Sequence, residues 1–259
     1  MRALTHHIQL TPFYLYHSYS DFKVDVGVFA VHYTVTLDLT MFSFFVEVER
    51  KFLCNADTLK KLEEIGAVCV GQQQIHDQYF DTPEFHLTLR DMWLRKRKGC
   101  WELKCPTAEA QSGKQGEAAA SLCTRYKEIT SLPEIHLRVK EVIKQDRESE
   151  AGFSQEDESW LSKLDLVCFA EFTTARCSFT LKEEGVQIDL DQADFGYHVG
   201  EIEVLISEGG DEQAALEKIR KTAEKLGLTG DQRVKGKMDV YLKRNHPEHY
   251  AKLLSEHIL

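Results

Sequence analysis

The chain has 259 residues, of which 42% are hydrophobic and 29% charged, a composition typical of a globular protein with one large or two small domains. Its net charge of −10 argues against a general nucleic-acid surface, because such surfaces need a basic field facing the phosphates. The seven cysteines are scattered, with no CxxC pair and no Cys/His zinc spacing, so we expect reduced thiols in the cytoplasm.

Residues 1–43 differ from the rest of the chain, being rich in His, Tyr, Phe and Thr with little helical periodicity. The charges of Asp21, Lys23 and Asp25 interrupt this segment, and no compact apolar run ends in a small-residue cleavage site. The pattern therefore predicts neither a signal peptide nor a membrane span. We expect residues 1–43 to be a poorly ordered appendage and residues 44–259 to form a single domain.

From residue 44 onward, short strand patterns alternate with a few helical ones. The strands are predicted over residues 44–53, 68–80, 87–98, 100–104, 125–130, 166–181, 186–191 and 198–207. The helices are predicted over residues 58–65, 133–163, 211–226, 238–243 and 248–257, and a mobile loop over 106–121. Many antiparallel strands with few helices predict a closed or nearly closed β-barrel.

The first predicted strand contains the pentapeptide Glu47-Val48-Glu49-Arg50-Lys51. Because successive side chains of a strand point to opposite faces, Glu47, Glu49 and Lys51 share one face. Two carboxylates and an ammonium on one face suit either a solvated edge strand or the wall of a cavity that holds a metal ion and a polyanion. These five residues alone leave both interpretations open.

The same pattern recurs along the other predicted strands. Charged residues that share a face are Arg95 with Arg97 (and Trp93 in register), Glu102 with Lys104, Asp189 with Asp191, and Glu201 with Glu203. If these faces point outward, the barrel has an ordinary aliphatic core. If they point inward, the barrel is a polar tunnel whose outer wall is covered by helices. The repetition over five or six strands favours the inward arrangement.

In the inward arrangement, acidic and basic side chains would lie close together inside the barrel. The candidate acids are Glu47, Glu49, Glu128, Asp189, Asp191, Glu201 and Glu203, and the candidate bases are Lys51, Arg95, Arg97, Lys104, Arg176 and Lys237. Clustered carboxylates repel one another unless a divalent cation lies between them, and Mg²⁺ takes carboxylate and phosphate oxygens together. Bases opposite such a cluster suit a ligand with several phosphates. The set predicts a phosphoryl-transfer site without a P-loop, since no GxxxxGK[ST] occurs.

Glu47-x-Glu49-x-Lys51 resembles the ExExK signature of the CYTH superfamily, the triphosphate tunnel metalloenzymes. Other segments, in the same order, are similar to the members of that superfamily that act on thiamine triphosphate. These segments are Tyr79-Phe80-Asp81-Thr82-Pro83, Trp93-Leu94-Arg95-Lys96-Arg97, Trp101-Glu102-Leu103-Lys104-Cys105-Pro106, Tyr126-Lys127-Glu128, and the run from Asp189 to Glu203 that contains Asp194-Phe195-Gly196-Tyr197. The resemblance covers about residues 44–255, and the ordered set is far more specific than ExExK alone.

The resemblance implies an α+β, mainly β fold in which eight antiparallel strands close into a tunnel with helices packed outside. It implies Mg²⁺-dependent hydrolysis of thiamine triphosphate to thiamine diphosphate and phosphate. The implied metal site is Glu47, Glu49, Asp189, Glu201 and Glu203, and the implied triphosphate site is Lys51, Arg95, Arg97, Lys104, Arg176 and Lys237. Trp93 would lie against the thiamine rings as a cation–π partner, the alternative being an ordinary core tryptophan.

Lys104 and Tyr79 are our candidates for preparing the attacking water. A lysine among other cations has a lowered pKa, so it could take a proton from the water or polarise it. The alternative makes Lys104 one more phosphate clamp.

Two other classes of function stay open at this point. One is a different catalyst on the same tunnel, an inorganic triphosphatase or an adenylyl cyclase-like enzyme. The other is a non-catalytic polyphosphate-binding module, which would need mainly the bases. In each case we expect a monomer with a small-molecule substrate or ligand and no nucleic-acid or membrane partner.

Overall fold

The computed structural model describes residues 45–107, 122–144, 159–207, 209–228, 230 and 232–259. The predictions for residues 1–43, for most of the loop over 106–121 and for the middle of the helical region 133–163 lie outside these residues. No helix within the described part of the chain has the length and apolarity needed to cross a membrane.

Eight antiparallel strands form a closed barrel, as predicted. The strands are β1 (Phe45–Phe52), β2 (Val68–Asp81), β3 (Trp93–Arg97), β4 (Cys100–Pro106), β5 (Cys123–Ile129), β6 (Val167–Leu181), β7 (Val186–Ala193) and β8 (Tyr197–Ser207). Their order around the barrel is β1-β5-β4-β3-β2-β6-β7-β8, and β8 pairs with β1 to close it. Every strand is therefore paired on both sides.

Six α-helices accompany the barrel in the described residues. They are α1 (Thr58–Glu64), α2 (Leu132–Lys144), α3 (Ser159–Lys163), α4 (Glu212–Lys225), α5 (Lys237–Asn245) and α6 (Pro247–Ser255). Helix α4, predicted over residues 211–226, begins at Glu212, and the Asp211 side chain caps it by accepting a hydrogen bond from the backbone N–H of Ala214.

The predicted strand over residues 87–98 was wrong in its first half. Residues Thr88–Arg90 form a 3₁₀ helix, and β3 begins only at Trp93. The cause is the buried carboxylate of Asp81, which accepts hydrogen bonds of 2.8–2.9 Å from the backbone N–H groups of Thr82, Leu87 and Thr88 and from the Thr88 hydroxyl. These bonds hold the segment between β2 and β3 as a compact loop.

The helices cover the apolar outer faces of the barrel. Val48, Ile188 and Ile202 pack beneath Ile219 and Ala223 of α4. On the other side, the outer faces of β3 and β4 and a second set of helical residues form a separate core, which contains Leu94, Leu103, Ile135, Val139 and Trp160. Since the outward-facing side chains are the aliphatic ones, the charged faces of these strands point into the barrel.

Position 200 of β8 has room only for glycine, because the Phe52 ring packs directly against its backbone. A Cβ atom at this position would lie 2.1 Å from the tip of the Phe52 ring on the adjacent strand β1. Any larger residue would therefore displace a ring that is buried in the main core.

Helices α5 and α6 pack against aromatic residues at one end of the barrel interior. Leu242 of α5 and Leu253 of α6 share a cluster with Tyr79, Trp93 and Phe172. The first residue of α5, Lys237, carries its ammonium to carboxylates of β7 and β8. The C-terminal helices thus belong to the structure of the interior as well as to the outer wall.

Candidate active site

The interior of the barrel contains carboxylates from three adjacent strands. Glu47 and Glu49 project from β1, Glu201 and Glu203 from β8, and Asp189 and Asp191 from β7, and each is at most 8% exposed. Contacts that pass over an intervening strand place these side chains inside the barrel. Lys104 of β4 pairs with Glu47 of β1 across β5, and Arg176 of β6 reaches Glu201 of β8 across β7.

Glu47, Glu49 and Glu203 form the tightest acidic cluster. One carboxylate oxygen from each lies within 4.8 Å of the others. Burial raises the pKa of Glu203 well above its ordinary value, and the charges of Glu47, Glu201 and Asp189 raise it further. Three carboxylates at this spacing and in this environment provide hard oxygen ligands for a divalent cation.

Asp189 adds a further observation that fits a cation. Its Oδ1 atom is buried and has no hydrogen-bond partner among the described residues, while Oδ2 accepts from Arg176 and from the Gln187 amide at 3.0 Å. Burial raises the pKa of Asp189, although Arg176 opposes the rise. The Gln187 amide also lies 3.5 Å from Glu203, so it connects Asp189 to the acidic cluster.

Arg176 is the most highly bonded base of the interior. Its guanidinium binds Asp191 through two parallel hydrogen bonds of 2.7 Å, Asp189 at 2.5 Å and Glu201 at 2.9 Å. Lys237 donates to Asp191 and, at 3.2 Å, to Glu201. Two of the predicted metal ligands, Asp189 and Glu201, are therefore ion-paired to predicted phosphate-binding bases in this structure.

The other four predicted bases also lie in the interior, each beside a carboxylate. Lys51 pairs with Glu49 and Lys104 with Glu47. The partners of Arg95 are Glu102 and Glu128, the latter at 2.9 Å, and Arg97 binds Asp77 through two hydrogen bonds of 2.6 and 2.7 Å. The structure thus brings all six bases and all five predicted metal ligands into the interior of the barrel.

Three interior residues were not assigned to the site from the sequence. Asp77 is fully buried and orients Arg97, Glu102 pairs with Arg95, and Gln187 bridges two carboxylates. Strand parity could have found Asp77, because it lies two residues before Tyr79 on the same face of β2. Gln187 likewise shares the face of Asp189, but a neutral side chain gives no charge signal.

Trp93 and Tyr79 are buried aromatic residues of the interior. In the strand register, Trp93 lies opposite Lys104 and Tyr79 lies opposite Arg95. The Tyr79 ring stacks on Phe172 with 5.8 Å between ring centroids. Within the described part of the chain, Tyr79 and Lys104 make no hydrogen bond to each other.

The surroundings of Lys104 differ from those that the sequence predicted. We expected neighbouring cations to lower its pKa, but its interior neighbours include the carboxylates of Glu47 and Glu49. Burial alone would lower the pKa of the Lys104 ammonium, yet these carboxylates outweigh it and raise the pKa well above the ordinary value, while Arg95 opposes them. The raised pKa favours the charged ammonium form of Lys104 at neutral pH.

Similarity to known proteins is found both in sequence and in structure. The CYTH domain family model matches residues 46–235. Thiamine-triphosphatases from Homo sapiens and Macaca fascicularis are each 37% identical over 218 residues, which is 81% of this chain and 89% of each relative. Among solved structures, the PH1819 protein from Pyrococcus horikoshii OT3 has 18% identity and a TM-score of 0.47, covering 76% of this chain and 98% of its own.

Proposed function

The chain belongs to the CYTH family, and we propose that it is an Mg²⁺-dependent hydrolase that converts thiamine triphosphate to thiamine diphosphate and phosphate. The main support for the proposal is that six basic side chains and a buried acidic cluster lie together inside a closed barrel. The identity to the two thiamine-triphosphatases supports the choice of substrate.

The six bases would hold the triphosphate. Each of them now pairs with a carboxylate, and phosphate oxygens would take over part of these hydrogen bonds when substrate enters. The two arginines of β3, Arg95 and Arg97, present planar forks that match phosphate oxygens, and Asp77 and Glu102 fix their orientation. Held in this way, the terminal phosphorus is positioned for in-line attack by water.

The acidic cluster would hold the metal ion. Glu47, Glu49 and Glu203 are the primary candidates, and Asp189 is a further one through its unpartnered Oδ1. Glu201, which completes the predicted set, would join them once the substrate draws Arg176 and Lys237 away. When bound, Mg²⁺ supplies charge neutralisation to the phosphate oxygens and orients the terminal phosphoryl group.

Lys104 and Tyr79 remain the pair that we propose prepares the attacking water. The carboxylates around Lys104 restrict the role that its ammonium can have. Because its ammonium is protonated beside Glu47, Lys104 would polarise the water or a phosphate oxygen instead of removing a proton. The idea is abandoned if Lys104→Ala weakens substrate binding but leaves kcat and its pH profile intact, which would make Lys104 a clamp only.

The experiment that tests the function is phosphate release from thiamine triphosphate, tripolyphosphate and ATP at equal low concentration, with Mg²⁺ and with EDTA. We expect strong preference for thiamine triphosphate and loss of release with EDTA. Equal rates on tripolyphosphate would instead indicate an inorganic triphosphatase, and cyclic AMP from ATP a cyclase. No release from any of the three would indicate the non-catalytic binding module.

The Glu201→Ala variant separates catalysis from binding. A binding module should keep most of its affinity for tripolyphosphate in EDTA, whereas the enzyme should lose turnover. Glu171→Ala is a suitable control, because Glu171 is an exposed residue of β6 whose only ion pair within the described chain is with His76.

We further propose that the protein acts as a monomer in the cytoplasm. All seven cysteines are free, which supports a reducing compartment. The closed barrel supports the monomer, because no strand lies at the edge of its sheet, although residues 68–76 of β2 extend beyond the paired part of β3. Light scattering during gel filtration tests the oligomeric state, and imaging of a tagged protein tests the location.

A further inference from the structure

One half-buried carboxylate beside Trp93 and Tyr126 has no part in the metal or phosphate sites described above. Asp91 lies just before β3, and its Oδ1 atom accepts hydrogen bonds of 2.9 Å from the Trp93 indole N–H and of 2.9 Å from the Tyr126 hydroxyl. Trp93 belongs to β3 and Tyr126 to β5, with β4 between them. One oxygen therefore ties together two aromatic side chains across an intervening strand.

The backbone places this carboxylate by a strained turn. Asp91 ends the 3₁₀ helix in the left-handed region, with φ of 57°, and its N–H donates to the Thr88 carbonyl at 3.0 Å. Left-handed backbone is uncommon for residues other than glycine, and aspartate is one of the few that tolerates it. Strain of this kind persists where the surrounding structure fixes it, here through the hydrogen bonds of Asp81 to the same loop.

The charge of Asp91 is not balanced by an ion pair with any residue that the structure describes. Its second oxygen, Oδ2, also has no hydrogen-bond partner within that part of the chain. Burial raises the pKa of the Asp91 carboxyl. The hydrogen bonds from Trp93 and Tyr126 and the charge of Arg233 oppose the rise, while the charge of Asp239 adds to it. A half-buried carboxylate among aromatic rings, with one oxygen free, is a place where a cationic ligand would be stabilised.

The neighbouring residues indicate which part of the substrate would reach Asp91. Trp93 lies opposite the phosphate-binding Lys104 in the β3–β4 register, and the Lys104 ammonium is 5.9 Å from the centroid of the Tyr126 ring. The aromatic pair thus begins where the triphosphate site ends. In thiamine triphosphate a short ethyl tether joins the phosphates to a permanently cationic thiazolium ring, whereas tripolyphosphate has no ring and ATP carries an uncharged base.

We propose that Asp91 is a specificity-determining residue, which orients Trp93 and Tyr126 and provides the negative charge that selects a cationic ring. This inference rests on the proposed function, because it assigns a residue to the organic end of that substrate. It separates two contributions, the position of the aromatic rings and the charge beside them. Asp91→Asn keeps an oxygen acceptor for both rings and removes only the charge.

The test compares a cationic ligand with a neutral one of the same shape. Thiamine diphosphate and its deaza isostere, in which an uncharged thiophene replaces the thiazolium, are titrated into wild-type protein and Asp91→Asn by calorimetry. We expect wild type to prefer the cationic ligand by about tenfold or more and the variant to lose most of that preference. In the same variant kcat/KM should fall about tenfold for thiamine triphosphate and stay within about twofold for tripolyphosphate.

Two results would overturn the inference. One is an equal loss on both substrates in Asp91→Asn, which would mean a purely structural role. The other is a wild-type protein that binds the cationic and neutral ligands equally, and this measurement needs no variant, so it holds even if Asp91→Asn does not fold. Failure of the proposed function is distinct, because it would appear as wild-type protein that does not hydrolyse thiamine triphosphate at all.

Discussion

Lys237, the first residue of α5, donates a hydrogen bond to Asp191 of β7, 46 residues earlier in the chain. A helix that follows the last strand of the barrel thus supplies one of the bases of the barrel interior. The same ammonium reaches Glu201 of β8 at 3.2 Å, so two neighbouring strands of the barrel, β7 and β8, are linked to the C-terminal helices.

Lys237→Ala should raise KM for the triphosphate substrate about 10- to 100-fold, because one charge-assisted contact to phosphate is lost. Asp191 keeps its two hydrogen bonds to Arg176, so the fold should be retained. Lys243→Ala, an exposed lysine of the same helix, is the matched control. Steady-state kinetics on both variants give the comparison, and equal effects of the two would remove Lys237 from the site.

Glu203→Gln should stabilise the protein in EDTA while weakening its response to metal. The substitution keeps the shape of the side chain and removes one of several mutually repelling carboxylates. We expect Tm in EDTA to rise by about 2–4 °C, which is the shift that an increase of about 1 kcal/mol in the free energy of unfolding gives for a domain of this size. The Mg²⁺ concentration for half-maximal activity should rise at least about tenfold. A variant that is less stable than wild type in EDTA would contradict the proposed repulsion.

His249 should make stability depend on pH in the weakly acidic range. It is a buried side chain of α6 whose Nε2 atom lies 2.8 Å from the Thr88 hydroxyl, and its Nδ1 atom has no partner among the described residues. Burial lowers its pKa from 6.5 to about 4, and the nearby charges of His246 and Lys252 add to the effect. The folded protein therefore binds fewer protons than the unfolded chain between these two values.

The stability that neutral His249 contributes is fully present above pH 6.5 and is lost as pH falls towards 4. The loss should reach up to about 3 kcal/mol. His249→Gln keeps a hydrogen-bonding side chain that does not titrate, so the slope of unfolding free energy against pH should flatten in that window. Urea denaturation of both proteins at several pH values measures the two slopes, and parallel slopes would show that His249 does not titrate as described.

Gly200→Ala should destabilise the fold by about 1–3 kcal/mol, since the added methyl group overlaps the Phe52 ring. Phe52→Leu shortens that ring and should recover part of the loss when the two changes are combined. Urea denaturation of the two single variants and the double variant gives the coupling energy. Strict additivity would mean that the glycine is needed for another reason.

The charged faces of the strands could be predicted from the sequence because each depends only on the alternation of side chains along one strand. The outer faces that carry Val48, Ile188 and Ile202 are the matching half of that pattern. The 3₁₀ helix before β3 could not be predicted. It depends on the Asp81 carboxylate, which accepts hydrogen bonds from backbone N–H groups six and seven residues later in the chain.

The environment of Lys104 was missed for a related reason. Its partner Glu47 belongs to β1, which is separated from β4 in the barrel by β5. Nothing in the spacing of charges along one strand reveals which strands face each other across the interior. Asp77 was missed differently, because the mixed polar and apolar residues of the long strand β2 obscure the parity that relates it to Tyr79.

The pairing of β1 with β8 sets the order in which the protein can be completed during synthesis. Glu49 and Glu203 are register partners, so the acidic cluster lies where the earliest and the latest strands of the barrel meet. A growing chain must release β8 before that junction can form, and the loop to be closed is nearly the whole barrel, which makes the step slow. Closing it also brings like charges together. We therefore expect a divalent cation to speed this last step of folding. The metal concentration in the cell would then affect how quickly newly made protein folds, as well as its activity.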